Sequence, residues 1–154
     1  PLGPGPYGDS DERVIRWLLD SPTLVENGVI RPKVLAVVGL SERADRPSYH
    51  VSEEMQRRGY RIVPVSPKGE TILGEKVYRR LQDIPFPVDV VQVFRAPQHV
   101  PEVVADVKEM AHRPRVLWLQ EGVGNPEAAA EARAYGLAVV QDRCTYKEAC
   151  RLGR

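Results

Sequence analysis

The chain has 154 residues, 42% of them hydrophobic, enough for a core without covalent staples and in keeping with one domain. Its 22 Lys and Arg stand against 21 Asp and Glu, a formal net charge of +1, so no broad field draws nucleic acid or an anionic membrane and any bound anion must be held locally. No apolar run reaches the roughly 18 to 20 residues that cross a bilayer, no leader-like segment opens the chain, and Cys144 and Cys150 have no metal-type spacing, which predicts a cytoplasmic protein with reduced thiols.

Residues 1–8 hold three prolines and three glycines, a composition that predicts a flexible tail, with the domain proper over residues 9–154. From Asp9 the pattern is helical, with Asp9 or Ser10 as cap, Val14, Ile15, Trp17, Leu18 and Leu19 as the apolar face, and Ser21-Pro22 as the stop. Val34 to Val38 lacks polar alternation and reads as a central parallel strand buried on both faces, closed by Gly39. A helix is expected from near Ser48 to Gly59, burying Val51 and Met55, followed by a strand over Tyr60 to Val65.

The stretch from Ser66 to Asp83 reads as loop, with a short apolar element at Thr71 to Leu73 and a helical turn at Tyr78 to Leu81. Val88 to Phe94 is the third strand, and Pro97 to Ala111 a helix with Val100, Val103, Val104 and Val107 inward. Arg115 to Leu119 is the fourth strand. A helix capped by Asn125, with Pro126 first and Gly136 last, leads to the fifth strand, Leu137 to Val140. This alternation predicts an α/β fold: a doubly wound, mainly parallel five-stranded sheet with helices on both faces and an extra N-terminal helix.

Ligands of such sheets lie beyond the carboxyl ends of the strands, so the loops that follow them hold the candidate residues. Gly39 lets the backbone approach a phosphate, Ser41 adds a hydroxyl, and the helix after Pro47 aims unpaired amides at the same space. The segment Gly39-Leu40-Ser41-Glu42-Arg43-Ala44 carries one glycine where a dinucleotide fingerprint needs three. After the second strand stand Ser66, Pro67 and Lys68 rather than the acid that binds the ribose of NAD. A lysine there suits a phosphorylated ribose, as in coenzyme A or NADP.

Several motifs resemble those of the small stand-alone CoA-binding domains related to the N-terminal domain of the succinyl-CoA synthetase α subunit. They are Val37-Val38-Gly39-Leu40-Ser41, Arg46-Pro47-Ser48-Tyr49, Val65-Ser66-Pro67-Lys68, Ile72-Leu73-Gly74-Glu75, Asp83-Ile84-Pro85, Val88-Asp89-Val90-Val91, Val93-Phe94-Arg95, Trp118-Leu119-Gln120 and Gln141-Asp142-Arg143-Cys144. The resemblance implies a Rossmann-type fold that binds coenzyme A or acyl-CoA without catalysis of its own. It puts the nucleotide phosphates on Gly39, Leu40 and Ser41 with Arg46, Pro47 and Ser48, and turns Lys68, after Ser66 and Pro67, toward the adenosine end. Phe94, Arg95 and Pro97 would line the adenine side, and Gln120, Glu121 and Gly122 the path of the pantetheine arm. The chain departs from the family pattern at Ser66, often Asn, at Ala96, often Arg, and at Thr145, often Pro.

Cys144 is a candidate contact for the thiol of the bound cofactor, through a mixed disulfide, against the alternative of a buried small apolar residue. His50, His99 and His112 have no Ser or Cys at a spacing that suggests a nucleophile and base, and read as surface or capping residues. Three other functions compete with CoA binding: an NADP-dependent reductase, an accessory subunit of an acyl-CoA synthetase, and a protein-interaction scaffold with a vestigial pocket and an unidentified partner. The groups Arg57-Arg58-Arg61, Arg79-Arg80 and Arg113-Arg115 lack interleaved aromatics and read as solvated surface rather than nucleic-acid contacts. No metal site is expected.

Overall fold

The computed structural model describes residues 11–154. The tail assigned to residues 1–8 and the caps Asp9 and Ser10 lie outside the described residues. Helix α1 (Asp11–Leu19) is followed by a hairpin, β1 (Thr23–Glu26) and β2 (Val29–Pro32), and then by β3 (Val34–Val38), α2 (Pro47–Arg57) and β4 (Arg61–Val65). A second hairpin, β5 (Thr71–Ile72) and β6 (Glu75–Lys76), precedes β7 (Val90–Val93). The chain continues through α3 (Val100–Lys108), β8 (Val116–Leu119), α4 (Pro126–Tyr135), β9 (Ala138–Val140) and α5 (Thr145–Arg151).

Five strands form one parallel sheet in the order β4-β3-β7-β8-β9. The order reverses at β3, whose two neighbours β4 and β7 follow it in opposite directions across the sheet, so a crevice opens between β3 and β7 at their carboxyl ends. Alternation along each strand sorts the core into two layers. Ala36, Val38, Val91, Val93, Leu117 and Leu119 meet the valines of α3 and the alanines of α4. Leu35, Val37, Ile62, Trp118 and Val140 meet Val14, Ile15, Leu18 and Leu19 of α1, Val51 and Met55 of α2, and Ala149 of α5. This is the doubly wound arrangement expected, with α1 as the extra N-terminal helix. Among the described residues no helix is long and apolar enough to cross a membrane.

The structure departs from the expectation in several places. Residues 71–76 form a hairpin whose turn, Leu73-Gly74, has both φ angles positive, rather than a lone apolar element. Tyr78 bridges to Val65 instead of opening a helical turn, and the single turn of 3₁₀ helix lies later, at Leu81–Asp83. The expected helix from Pro97 starts with a separate 3₁₀ turn, Pro97–His99, before α3 proper. The β1–β2 hairpin and α5 are additions, treated in the Discussion.

The N-terminal elements are tied to the amino edge of the sheet, opposite the crevice. Asp89, just before β7 and 5% exposed, accepts the Val34 amide at 2.7 Å and both terminal nitrogens of Arg31, at 2.8 and 3.0 Å. Lys33 is buried, and its ammonium donates to the Trp17 and Ser21 carbonyls at the end of α1, while desolvation holds its pKa below the ordinary lysine value. The Tyr60 hydroxyl donates to the Leu18 carbonyl at 2.5 Å, and burial pushes its pKa up from 10.0 to about 12. Because the folded value lies above the unfolded one, this group's stabilisation is full below pH 10 and is lost as pH rises through about 12. A tyrosinate absorbance titration is expected to show a step near pH 12 that loses one tyrosine's amplitude in Tyr60→Phe. If the step is unchanged, the assignment is wrong.

Candidate functional site

The loops after β3, β4, β7 and β8 meet at the carboxyl edge. β3 ends in Gly39, whose φ of +86° and close approach to β7 leave no room for a side chain: a Cβ there would stand 2.7 Å from the Phe94 carbonyl oxygen. The chain then turns over buried Leu40. The Ser48 hydroxyl accepts the Ser41 amide at 3.0 Å, and the Ser41 hydroxyl accepts the Arg43 amide at 3.1 Å. These two bonds hold the loop against the start of α2. Arg46 occupies the position before that helix and makes no side-chain bond to it, and Pro47 has no amide hydrogen, so no side chain caps the positive end of α2.

After β4, the Ser66 hydroxyl accepts the Lys68 amide at 3.2 Å, while the Ser66 carbonyl accepts Arg79 at 3.1 Å and its amide donates to Tyr78. The backbone of this loop is thus fixed from the hairpin side. After β7, Phe94 donates its amide to Val38, and the Pro97 carbonyl accepts the Asn125 side chain at 3.1 Å. The loop after β8 is braced from behind. The Gly122 amide donates to Asp142 at 2.7 Å, the Asn125 amide to Gln141 at 2.9 Å, and buried Gln120 donates its side-chain amide to Thr145 at 3.3 Å. The Thr145 hydroxyl therefore has a definite use where proline could offer none. Glu121 is bound by Lys147 at 2.7 and 3.0 Å, a hydrogen bond that raises the pKa of the lysine.

Between these loops lies a cleft of about 750 Å³, within the range of small-ligand sites. Gly39, Leu40, Ser41, Arg46, Pro47, Ser48, Ser66, Pro67, Lys68, Phe94, Arg95, Pro97, Gln120, Glu121 and Gly122 all line it. Glu42, Arg43, Ala96 and Val123 line it as well. Cys144 is not among the lining residues. It is 8% exposed, precedes α5, and belongs to the core layer of Trp118 and Ala149.

Arg43, Arg46, Lys68 and Arg95 outnumber Glu42 and Glu121 at the cleft, a local positive surplus on a nearly neutral chain. The cations differ in availability. Arg43 is paired with Asp45 at 3.2 Å and Arg95 lies 3.7 Å from Glu102, whereas among the described residues Arg46 and Lys68 have no side-chain partner. Backbone amides, an uncapped helix start and two unpaired cations around one glycine are groups whose chemistry suits an anion. Among the described residues no group of three or more His, Cys, Asp or Glu could hold a metal ion.

A family model described as a CoA binding domain matches residues 33–149. The chain belongs to this CoA-binding domain family. Family relatives extend from free-standing proteins to parts of large enzymes. The Bacillus subtilis protein YneT, itself uncharacterized, is 42% identical over 114 residues, 74% of this chain and 83% of that protein. The ADP-forming acetate–CoA ligase II of Archaeoglobus fulgidus is 34% identical over 77 residues, 49% of this chain but only 11% of the enzyme. In structure, a hypothetical protein from Pyrococcus horikoshii matches with a TM-score of 0.80 and 32% identity over 97% of both chains. The family match begins at Lys33, so α1 and the first hairpin lie ahead of the CoA-binding domain as the family model describes it.

Proposed function

We propose that the cleft binds coenzyme A or an acyl-CoA and that the protein acts by binding, without chemistry of its own. The observation that carries this reading is the unpaired Lys68 ammonium facing the same cleft as Gly39 and the uncapped start of α2. Amides and helix dipole suit a diphosphate, while a separate lysine after the second strand suits a ribose phosphate. Gln120, Glu121 and Gly122 then flank the pantetheine arm, and the bonds behind them keep that wall in place. The family match and the partial match to an acetate–CoA ligase support the choice of coenzyme A over NADP.

Titration calorimetry of the protein with CoA, acetyl-CoA and NADPH tests the reading. CoA or acetyl-CoA is expected to bind and NADPH is not. NADPH binding without CoA binding would overturn the reading in favour of a reductase, and silence from all three would favour an interaction scaffold. In Lys68→Ala the CoA affinity is expected to fall about 10- to 100-fold, the loss of one charge-assisted contact of about 1.5 to 3 kcal/mol. An unchanged affinity means that Lys68 does not hold the phosphate.

A further inference from the structure

A second cavity, of about 300 Å³, adjoins the cleft and shares Gly39, Pro67 and Arg95 with it. Its apolar lining is Val38, Val65, Leu81 and Val103; Arg79, held by the Ser66 carbonyl, Arg80, held by Asp106, and Glu102 and Asp106 of α3 make up the rest of its charged lining. The two carboxylates are not equivalent. Asp106 is fully engaged, its oxygens 3.2 and 2.5 Å from Arg80, with Gln82 at 3.5 Å. Among the described residues Glu102 forms ion pairs with Arg95 and His99, each at 3.7 Å and too far for a hydrogen bond, and its charge also reaches Arg80. Arg95 in turn makes no side-chain hydrogen bond among the described residues, its stem lies beside Gly39, and the residue lines both spaces.

A slot with an apolar inner wall, a guanidinium that makes no hydrogen bond among the described residues, and a carboxylate with unused lone pairs is suited to a flat heterocycle that donates hydrogen bonds from one edge. Resting on the CoA reading above, we propose that the nucleotide base is selected in this side cavity. Arg95 lies against the base, and Glu102 accepts a hydrogen bond from the exocyclic 6-amino group. A carboxylate can only accept, so a 6-oxo purine, or an adenine whose amine is blocked, sets lone pair against lone pair and is rejected. Glu102 is then a specificity residue contributed by α3 rather than by a strand-end loop.

The test uses the full chain, CoA and 1,N6-etheno-CoA, in which N1 and the 6-amino nitrogen are bridged and no donor remains. The native protein is expected to bind CoA at least tenfold more tightly than the etheno form. In Glu102→Leu, the CoA affinity is expected to fall to near that of the etheno form, whose own binding changes little. Glu102 is 62% exposed, so the substitution leaves the fold intact. Equal native affinities, or a preference for CoA that persists in Glu102→Leu and so reflects bulk alone, overturn the assignment while CoA binding itself stands. Absence of binding by either compound overturns the CoA reading and this proposal with it.

Discussion

In Gly39→Val, CoA affinity is expected to fall at least 100-fold and stability by about 2 to 4 kcal/mol, the combined cost of a branched side chain at positive φ and of overpacking. At +86° the backbone disfavours any L side chain, and the added Cβ would stand 2.7 Å from the Phe94 carbonyl oxygen and 3.1 Å from Cγ of Arg95. Neither neighbour yields easily. Phe94 is held through its amide to Val38, so relief must come from parting β3 and β7 where the cleft begins. Chemical denaturation and calorimetry on the same preparation separate the two effects. Gly74→Ala is the control, since Gly74 also has a positive φ but nothing within 4 Å of a built Cβ. It is expected to lose some stability and no affinity. A Gly39→Val protein that binds CoA like the native chain would remove the cleft as the binding site.

The second large effect belongs to the opposite edge of the sheet. In Asp89→Ala, stability is expected to drop by about 3 kcal/mol or more, because the Val34 amide and the Arg31 guanidinium lose a buried partner that nothing replaces. Arg31 keeps Glu26 at 3.1 Å, but that pair is exposed and contributes little. Since Asp89 does not line the cleft, CoA affinity at saturating folded protein is expected to stay within about twofold of the native value. Urea melts read the first effect and calorimetry well below the midpoint reads the second. A melting midpoint equal to the native one would show that Asp89 is dispensable.

The two cases differ in how visible they are in the sequence. Gly39 stands directly after an unbroken apolar strand, where a parallel sheet needs a turn, so both its position and its proximity to ligand follow from local pattern. Asp89 looks like any polar residue before a strand, and its partners, Arg31 and the Val34 amide, lie 58 and 55 residues away. The first hairpin is equally hard to read from local pattern. Its turn, Asn27-Gly28, is a strong hairpin signal, but Val25, Val29 and Ile30 are 64 to 70% exposed and the flanking strands bury no continuous face. Helix α5 is short, and of its residues only Thr145, Glu148 and Ala149 are buried, so no apolar stripe marks it.

The sequence by itself determined the five strands of the parallel sheet and the loops that meet at its carboxyl edge. In a doubly wound sheet every strand-to-helix loop returns to one edge, so naming the residue after each strand names the residues that meet there. The tertiary structure alone decided which of those residues are available. It left Lys68 and Arg46 unpaired while tying Glu121 to Lys147, and it placed Cys144 in the core layer of Trp118 and Ala149. Periodicity records which way a side chain points relative to its own element. Whether a charge meets a counter-charge from an element far along the chain depends on how helices and loops are laid side by side, and no local pattern carries that.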